Sequence, residues 1–357
     1  MPEKLCCTEC FGDPGLRSSI FPALAGRSDA RVGVCDYCGT VGVTLVRPTE
    51  LRQWFEMLVG TYEQSSEGGR PLVTWLRDDW RLFGHPTMDD AHAKELLADI
   101  LDDGEIVRAD FVPDERFESE SLKQWDDLRD EMMHRNRWFL DEPIDLERLK
   151  LLLDLLIASH EQLADTWFRA RLLADDTLYG IDEMGAPPHR LAGHGRANPA
   201  GIRYLYLGSE PATAVSEIRP HTGEFACVAT FNVPQIRAVD LRDPRAQVSP
   251  FILSDADEIS QLRADLPLLE RLGDELTKPV LPRGAAFEYT PSQYLCEYIK
   301  KCGFDGVLYR SSVSNGVNLA LFDPGAAEAV EVTVHHVEQV SVATKANVGS
   351  GWHTATE

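Results

Sequence analysis

The sequence predicts an α+β protein with an N-terminal zinc knuckle, a helical middle and a mixed α/β C-terminal half. Three observations carry this reading. Five of the eight cysteines lie within the first 38 residues. Apolar residues recur at helical spacing from about residue 51 to about 170. Beyond a loop rich in glycine and proline, the apolar runs become short and strand-like. The 357 residues suit two or three domains, and a hydrophobic content of 43% supplies a sizeable core. A chain disordered throughout is excluded.

The first element rests on Cys7-x2-Cys10 and Cys35-x2-Cys38. Two thiolates two residues apart can turn their sulfurs to one point, and two such pairs complete a tetrahedron around a structural Zn2+. Gly39 suits the tight turn beneath the metal. Cys6 is the alternative ligand to Cys7. Cys227, Cys296 and Cys302 read as ordinary core residues.

The second element begins with Leu51, Trp54, Phe55 and Leu58, then Leu72, Trp75, Leu76 and Trp80, both at helical spacing. Thr87 offers a helix start before a run from Ala91 to Leu101. A further helix is predicted from Ser121 to Phe139, with Trp125, Trp138 and Phe139 as a packing stripe. Pro143 and Asp145 open a last helix from Leu146 to about Leu173. Past the loop at 185–195, strands are predicted at Tyr204–Leu207, Phe225–Val233, Ile236–Leu241, Gly306–Tyr309, Val317–Phe322 and Val330–His335. Helices are predicted near Thr213–Ile218, Ala256–Leu276 and Pro291–Cys302.

The formal charge is −23, from 35 basic and 58 acidic residues. Residues 89–165 carry 9 basic and 23 acidic side chains, so most of the excess acid is in one segment. Such a balance argues against a protein that coats DNA or an anionic membrane, while leaving room for one cationic pocket. The start of the chain shows no signal-peptide pattern, and the apolar tract Leu149–Ile157 is short and interrupted by Lys150 and Asp154. A soluble cytoplasmic protein is the expectation.

The stretch most informative for chemistry runs from Gly193 to Pro220. Arg196 follows Gly195 in a loop, Tyr206 ends a strand ten residues later, and Glu217 lies on the next short helix. A guanidinium can fork onto a pyrophosphate. A tyrosine offers a ring with a polar edge. A glutamate can stabilise a positive charge that develops beside it. Near the C-terminus, Tyr309-x-Ser311 precedes Asn318-Leu-x-Leu-Phe322. Gly193-x-Gly195 is not a dinucleotide fingerprint, because its third glycine is misplaced.

In this order, these residues resemble the RES-domain family. The resemblance implies a fold similar to ADP-ribosyltransferase toxins and an enzyme that splits the nicotinamide–ribose bond of NAD+. Hydrolysis, phosphorolysis and ADP-ribosyl transfer remain open. It implies Arg196, Tyr206, Glu217 and Ser311 as catalytic residues, with Arg196, Tyr206 and Asn318 binding NAD+. Ser312 and Ser314 are neighbours that leave the choice of serine open. His194 and His221 are second-rank candidates, as are Arg169 and Arg171 as a phosphate-binding edge. A toxin or defence effector, with a protein antitoxin or a protein ADP-ribose acceptor as partner, follows from the same resemblance.

Arg129-x4-His134 resembles the ribonuclease motif of HEPN domains, and a cysteine-bearing, HEPN-like region ahead of a RES domain is a known layout. The expected organisation is therefore a zinc ribbon-like region at 1–48, a HEPN-like helical domain at 49–165, a RES catalytic domain at 166–340 and a flexible tail at 341–357. The alternatives are a HEPN-type ribonuclease and a non-enzymatic interaction protein. The surrounding acidity makes RNA a poor partner, and the bland reading gives Arg129 and His134 to acidic neighbours. The sequence leaves the oligomeric state open.

Overall fold

The computed structural model describes residues 4–26, 31–117, 119–141, 144–159, 163–173, 177–281, 283–341 and 344. The proposed tail thus lies largely outside the described residues, as does Pro143 at the proposed start of the last middle helix.

The N-terminal region holds α1 (Phe21–Ala25) and an antiparallel ribbon of β1 (Arg31–Val34) and β2 (Val41–Leu45). The middle holds α2 (Arg52–Val59), β3 (Tyr62–Gln64), β4 (Arg70–Pro71), α3 (Leu72–Trp80), α4 (Asp90–Leu101), β5 (Asp110–Pro113), α5 (Ser121–His134) and α6 (Leu146–Asp154). Its helices fall where apolar spacing predicts them, but β3, β5 and β4 form a small antiparallel sheet that the helical reading omitted. The helix placed at Thr87 is capped instead by Asp89, which accepts from the His92 amide at 3.0 Å. The Thr87 hydroxyl donates to the Cys38 carbonyl (2.8 Å), so it serves the cysteine knuckle.

Two helix predictions are corrected. The helix expected over Ser121–Phe139 ends at His134. Trp125 is fully buried, whereas Trp138 and Phe139 are 78% and 86% exposed, so the three are not one packing stripe. The helix expected from Leu146 to Leu173 ends at Asp154, and β6 (Thr166–Leu172) occupies its second half. Tertiary pairing overrides the apolar run there. The Ala158 amide donates to the Ala238 carbonyl (2.9 Å), and the Asp240 amide to that of Leu156 (2.7 Å).

The C-terminal half continues with β7 (Leu205–Gly208), α7 (Pro211–Glu217), β8 (Phe225–Asn232), β9 (Ala238–Asp240), α8 (Pro244–Gln247), α9 (Ala256–Thr277), α10 (Ala285–Glu288), α11 (Thr290–Lys301), β10 (Gly306–Arg310), β11 (Val317–Leu321) and β12 (Glu328–His336). Seven strands form one sheet in the order β12-β8-β6-β7-β11-β10-β9. Only β9 and β10 pair in parallel, as their long helical crossover through α8–α11 requires.

The alternation of side chains gives this sheet two apolar faces. Leu205, Leu207, Leu308, Leu319 and Leu321 belong to one cluster with Trp167, Cys227 and Phe231. Tyr204, Val307, Tyr309 and Ala320 face the other way, into a cluster that includes α9, α11 and nearly all the buried residues of the first 156. The halves of the chain therefore share one core.

Candidate active site

Strands β6 and β7 are neighbours in the sheet but share a single Cα pair, Phe168↔Gly208, while β6 and β8 share seven. The sheet is split at that seam. A cavity of about 520 Å3 opens there, lined by β6 and β7, the end of α7, Tyr309, Asn318, and the loop carrying Arg196. That volume falls in the ordinary range for ligand pockets, roughly 300–1,000 Å3. Gly208 lets α7 lie close to the seam: a Cβ there would sit 2.8 Å from the Ala214 amide nitrogen.

Glu217 ends α7 and faces this cavity. Its Oε1 accepts from the Ser311 hydroxyl at 2.7 Å and from Asn318 Nδ2 at 2.6 Å. Ser311 is buried, and its hydroxyl also accepts from the Val313 and Ser314 amides (3.2 and 3.0 Å). Two side chains from the β10–β11 hairpin, 94 and 101 residues on in sequence, thus converge on one carboxylate. Ser311 sits behind Glu217 and orients it, whereas Ser312 lines the cavity. Ser314 turns away to the Thr213 hydroxyl (3.2 Å).

The Arg196 loop is built by polar contacts. Asn198 is buried and donates through Nδ2 to the carbonyls of Gly193, Pro199 and Ile202 (3.0, 3.0 and 2.6 Å). Its Oδ1 accepts from the Tyr206 hydroxyl (2.6 Å), which in turn accepts from the Ala197 amide (3.0 Å). A side chain at Gly195 would overlap both the Tyr206 hydroxyl and Asn198 Oδ1, which explains the glycine. From α11, Gln293 Nε2 donates to the Gly195 and Asn198 carbonyls, and the Ser292 hydroxyl to that of Arg196. Tyr206 therefore gives its ring to the cavity and its hydroxyl to the loop. Burial pushes that phenol well above the usual tyrosine range, so it remains protonated.

Arg196 spans the cavity mouth. Its Nη1 donates to the Lys278 carbonyl (2.5 Å) and its Nη2 to the Ser312 hydroxyl (2.9 Å), with its guanidinium 5.6 Å from the Tyr289 ring centre. Arg169 reaches across the seam, Nη1 donating to the Tyr206 carbonyl at 3.1 Å. Its buried Nε has no partner. Burial, followed by repulsion from Arg171, lowers its pKa to about 10, so it remains charged at neutral pH. Arg219, next to the cavity, has a left-handed backbone (φ 50°). None of these three guanidinium groups has a carboxylate partner among the described residues.

Other sequence candidates lie elsewhere. Arg171 donates to the Gly185 carbonyl (2.9 Å). His221 is exposed and outside the cavity lining, while His194 lines it. Arg129 pairs with Glu275 of α9 (3.1 Å), whereas His134 is half exposed, near Asp130 (4.0 Å) and the Phe287 ring (6.1 Å). Sequence reasoning missed Ser292 and Gln293 altogether, since neither carries a motif. It ranked Arg169 low because β6 read as helix.

In the N-terminal region, the sulfurs of Cys7, Cys10, Cys35 and Cys38 all lie within 4.8 Å of one another and are buried. Cys7 and Cys38 are 3.5 Å apart, and Cys10 and Cys35 3.4 Å. A ZnS4 tetrahedron has sulfurs about 3.8 Å apart, so the donor set fits that ion. Hydrogen bonds from Cys10 and Cys7 favour the Cys35 thiolate and push its pKa down, while the bond to Cys35 pushes Cys10 up. Gly39 takes the turn at φ 74°, its amide donating to the Cys35 carbonyl (3.0 Å). Cys6 is buried alongside, paired with Val46 through its backbone, and is outside the group of four.

The RES domain family matches residues 166–343. Among solved structures, a chain of the M. tuberculosis MbcT–MbcA toxin–antitoxin complex is similar, at 16% identity and a TM-score of 0.31, covering 53% of this chain and 93% of that one. No protein of curated function matches. Among the described residues, no helix is long and apolar enough to cross a membrane.

Proposed function

We propose, from the chain's membership of the RES-domain family through residues 166–343, that it consumes NAD+ by cleaving the nicotinamide–ribose bond. The observation that carries this is Glu217, fixed by Ser311 and Asn318 in a cavity whose guanidinium groups lack carboxylate partners among the described residues. An oriented carboxylate beside free cations suits a substrate that is anionic at its diphosphate and becomes cationic at its reacting ribose.

In this reading, Arg169 and Arg196 hold the diphosphate, and Tyr206 packs against the nicotinamide end. The bond between ribose C1 and the nicotinamide nitrogen breaks. Its electron pair goes to the ring, which leaves as neutral nicotinamide. Glu217 stabilises the positive charge that develops on the ribose. An oxygen nucleophile then forms the new bond at C1: water gives ADP-ribose and a proton, phosphate gives the 1-phosphate, and a protein side chain gives an ADP-ribosylated protein.

The four cysteines would hold Zn2+ as a structural ion, cross-linking the first knuckle to the second. A toxin or effector role, with a protein that restrains it, follows if expression lowers cellular NAD+. The deciding experiment is incubation of the purified chain with NAD+, with and without phosphate and candidate proteins, followed by mass analysis of products. Loss of NAD+ with release of nicotinamide is expected; intact NAD+ under all conditions would end this reading.

A further inference from the structure

We propose that Arg129, in the middle helical region, is a positioning residue for the nucleotide pocket, acting through Glu275 and the last turn of α9 on Arg196; the inference rests on the NAD+ reading. Arg129 and Glu275 meet at 3.1 Å, with the Glu275 carboxylate only 2% exposed. The same carboxylate lies 3.3 Å from Arg271 Nη2 and accepts from Trp125 Nε1 at 3.4 Å. Arg271 Nε also bonds Asp126 at 2.9 Å. Trp125, Asp126 and Arg129 of α5 thus grip Arg271 and Glu275 of α9.

What this grip fixes is close by in sequence. Two residues after Glu275, α9 ends at Thr277, and the next residue, Lys278, offers the carbonyl that Arg196 Nη1 holds at 2.5 Å. Val280, Ala285 and Tyr289 then form the cavity wall. A buried carboxylate that loses one of its cations must find solvent or another partner, and the nearest way is displacement of its own helical turn. That displacement carries the Lys278 carbonyl away from Arg196. Arg129 touches neither the cavity nor the proposed reacting atoms, so its removal should weaken NAD+ binding and spare the bond-breaking step.

The test is steady-state kinetics on the full chain. Arg129→Ala should raise KM for NAD+ roughly tenfold, the scale of one charge-assisted hydrogen bond, with kcat within about twofold. Arg129→Lys should restore part of the loss. In an Arg196→Ala background, Arg129→Ala should add nothing to KM. A wild-type KM in Arg129→Ala, or an equal rise in both backgrounds, overturns the proposal. Should Arg129→Ala fail to fold, Arg129→Lys replaces it, with a smaller rise expected and an unchanged KM overturning the link. Amide exchange of Lys278 and Ala285–Tyr289, measured without NAD+, should quicken in either variant; wild-type protection there also overturns it. A wild-type chain that leaves NAD+ intact overturns the NAD+ reading instead, and the exchange result still decides the link.

Discussion

Arginine is used in opposite ways at the seam where α5 and α6 pack on α9 and at the cavity. At the seam, Arg148 meets the buried Asp265 at 2.7 Å, Arg129 meets Glu275, and Arg271 meets Asp126. At the cavity, Arg169, Arg196 and Arg219 have no acidic partner among the described residues. The first set satisfies the fold. The second carries positive charge that folding does not neutralise, as expected where an anion is to be bound. The difference separates two arginines that the sequence singles out: Arg129 belongs to the seam, and Arg196 to the site.

The largest expected effect is at Glu217, the carboxylate that shares the cavity with these cations. Glu217→Ala should lower NAD+ turnover about 100- to 1,000-fold, on the scale of removing a group that stabilises transition-state charge, with little change in melting temperature. An active Glu217→Ala variant would leave the free arginines without a reaction to serve. Next come matched arginine deletions. Arg169→Ala should raise KM for NAD+ roughly 10- to 100-fold without loss of thermal stability. Arg148→Ala should do the reverse, costing about 3 kcal/mol of stability by leaving Asp265 buried and unpaired while KM holds. Denaturant melts and kinetics on the two variants measure this, and similar behaviour would erase the contrast.

A smaller effect is expected at Asp13. It is 3% exposed, accepts from the Ser249 hydroxyl (2.8 Å) and the Leu16 amide (2.8 Å), and has no ion-pair partner among the described residues. Burial raises its pKa to about 6. The folded chain therefore holds this proton more tightly than the unfolded chain, and stability falls as pH rises from about 4 to 6. Asp13→Asn should flatten that part of the stability profile; an unaltered slope would refute the assignment.

Much of the C-terminal fold was legible, because alternating runs such as Tyr204–Leu207 and Val317–Phe322 have apolar residues to offer both faces of the sheet. Glu217, Asn318 and Arg196 were legible through their order in a motif, and the structure gathers them in one cavity. Arg169 was obscured because the apolar run before β6 suits a helix, and only pairing with Val239 and its neighbours ends that helix. Ser292 and Gln293 act by holding backbone carbonyls, a role that leaves no pattern in a single sequence. Ser311 was implied as a catalytic residue; in the structure its hydroxyl is directed at Glu217.

The shared core has a consequence for synthesis. Chains are made from the N-terminus, and units fold once their partners exist. The helical region presents its apolar side to α9 and α11, which the ribosome makes more than a hundred residues later. Glu217 likewise waits about a hundred residues for Ser311 and Asn318. A nascent chain interrupted anywhere before β11 would thus hold strands and arginines while Glu217 still lacked Asn318, so the site is assembled only near the end of synthesis.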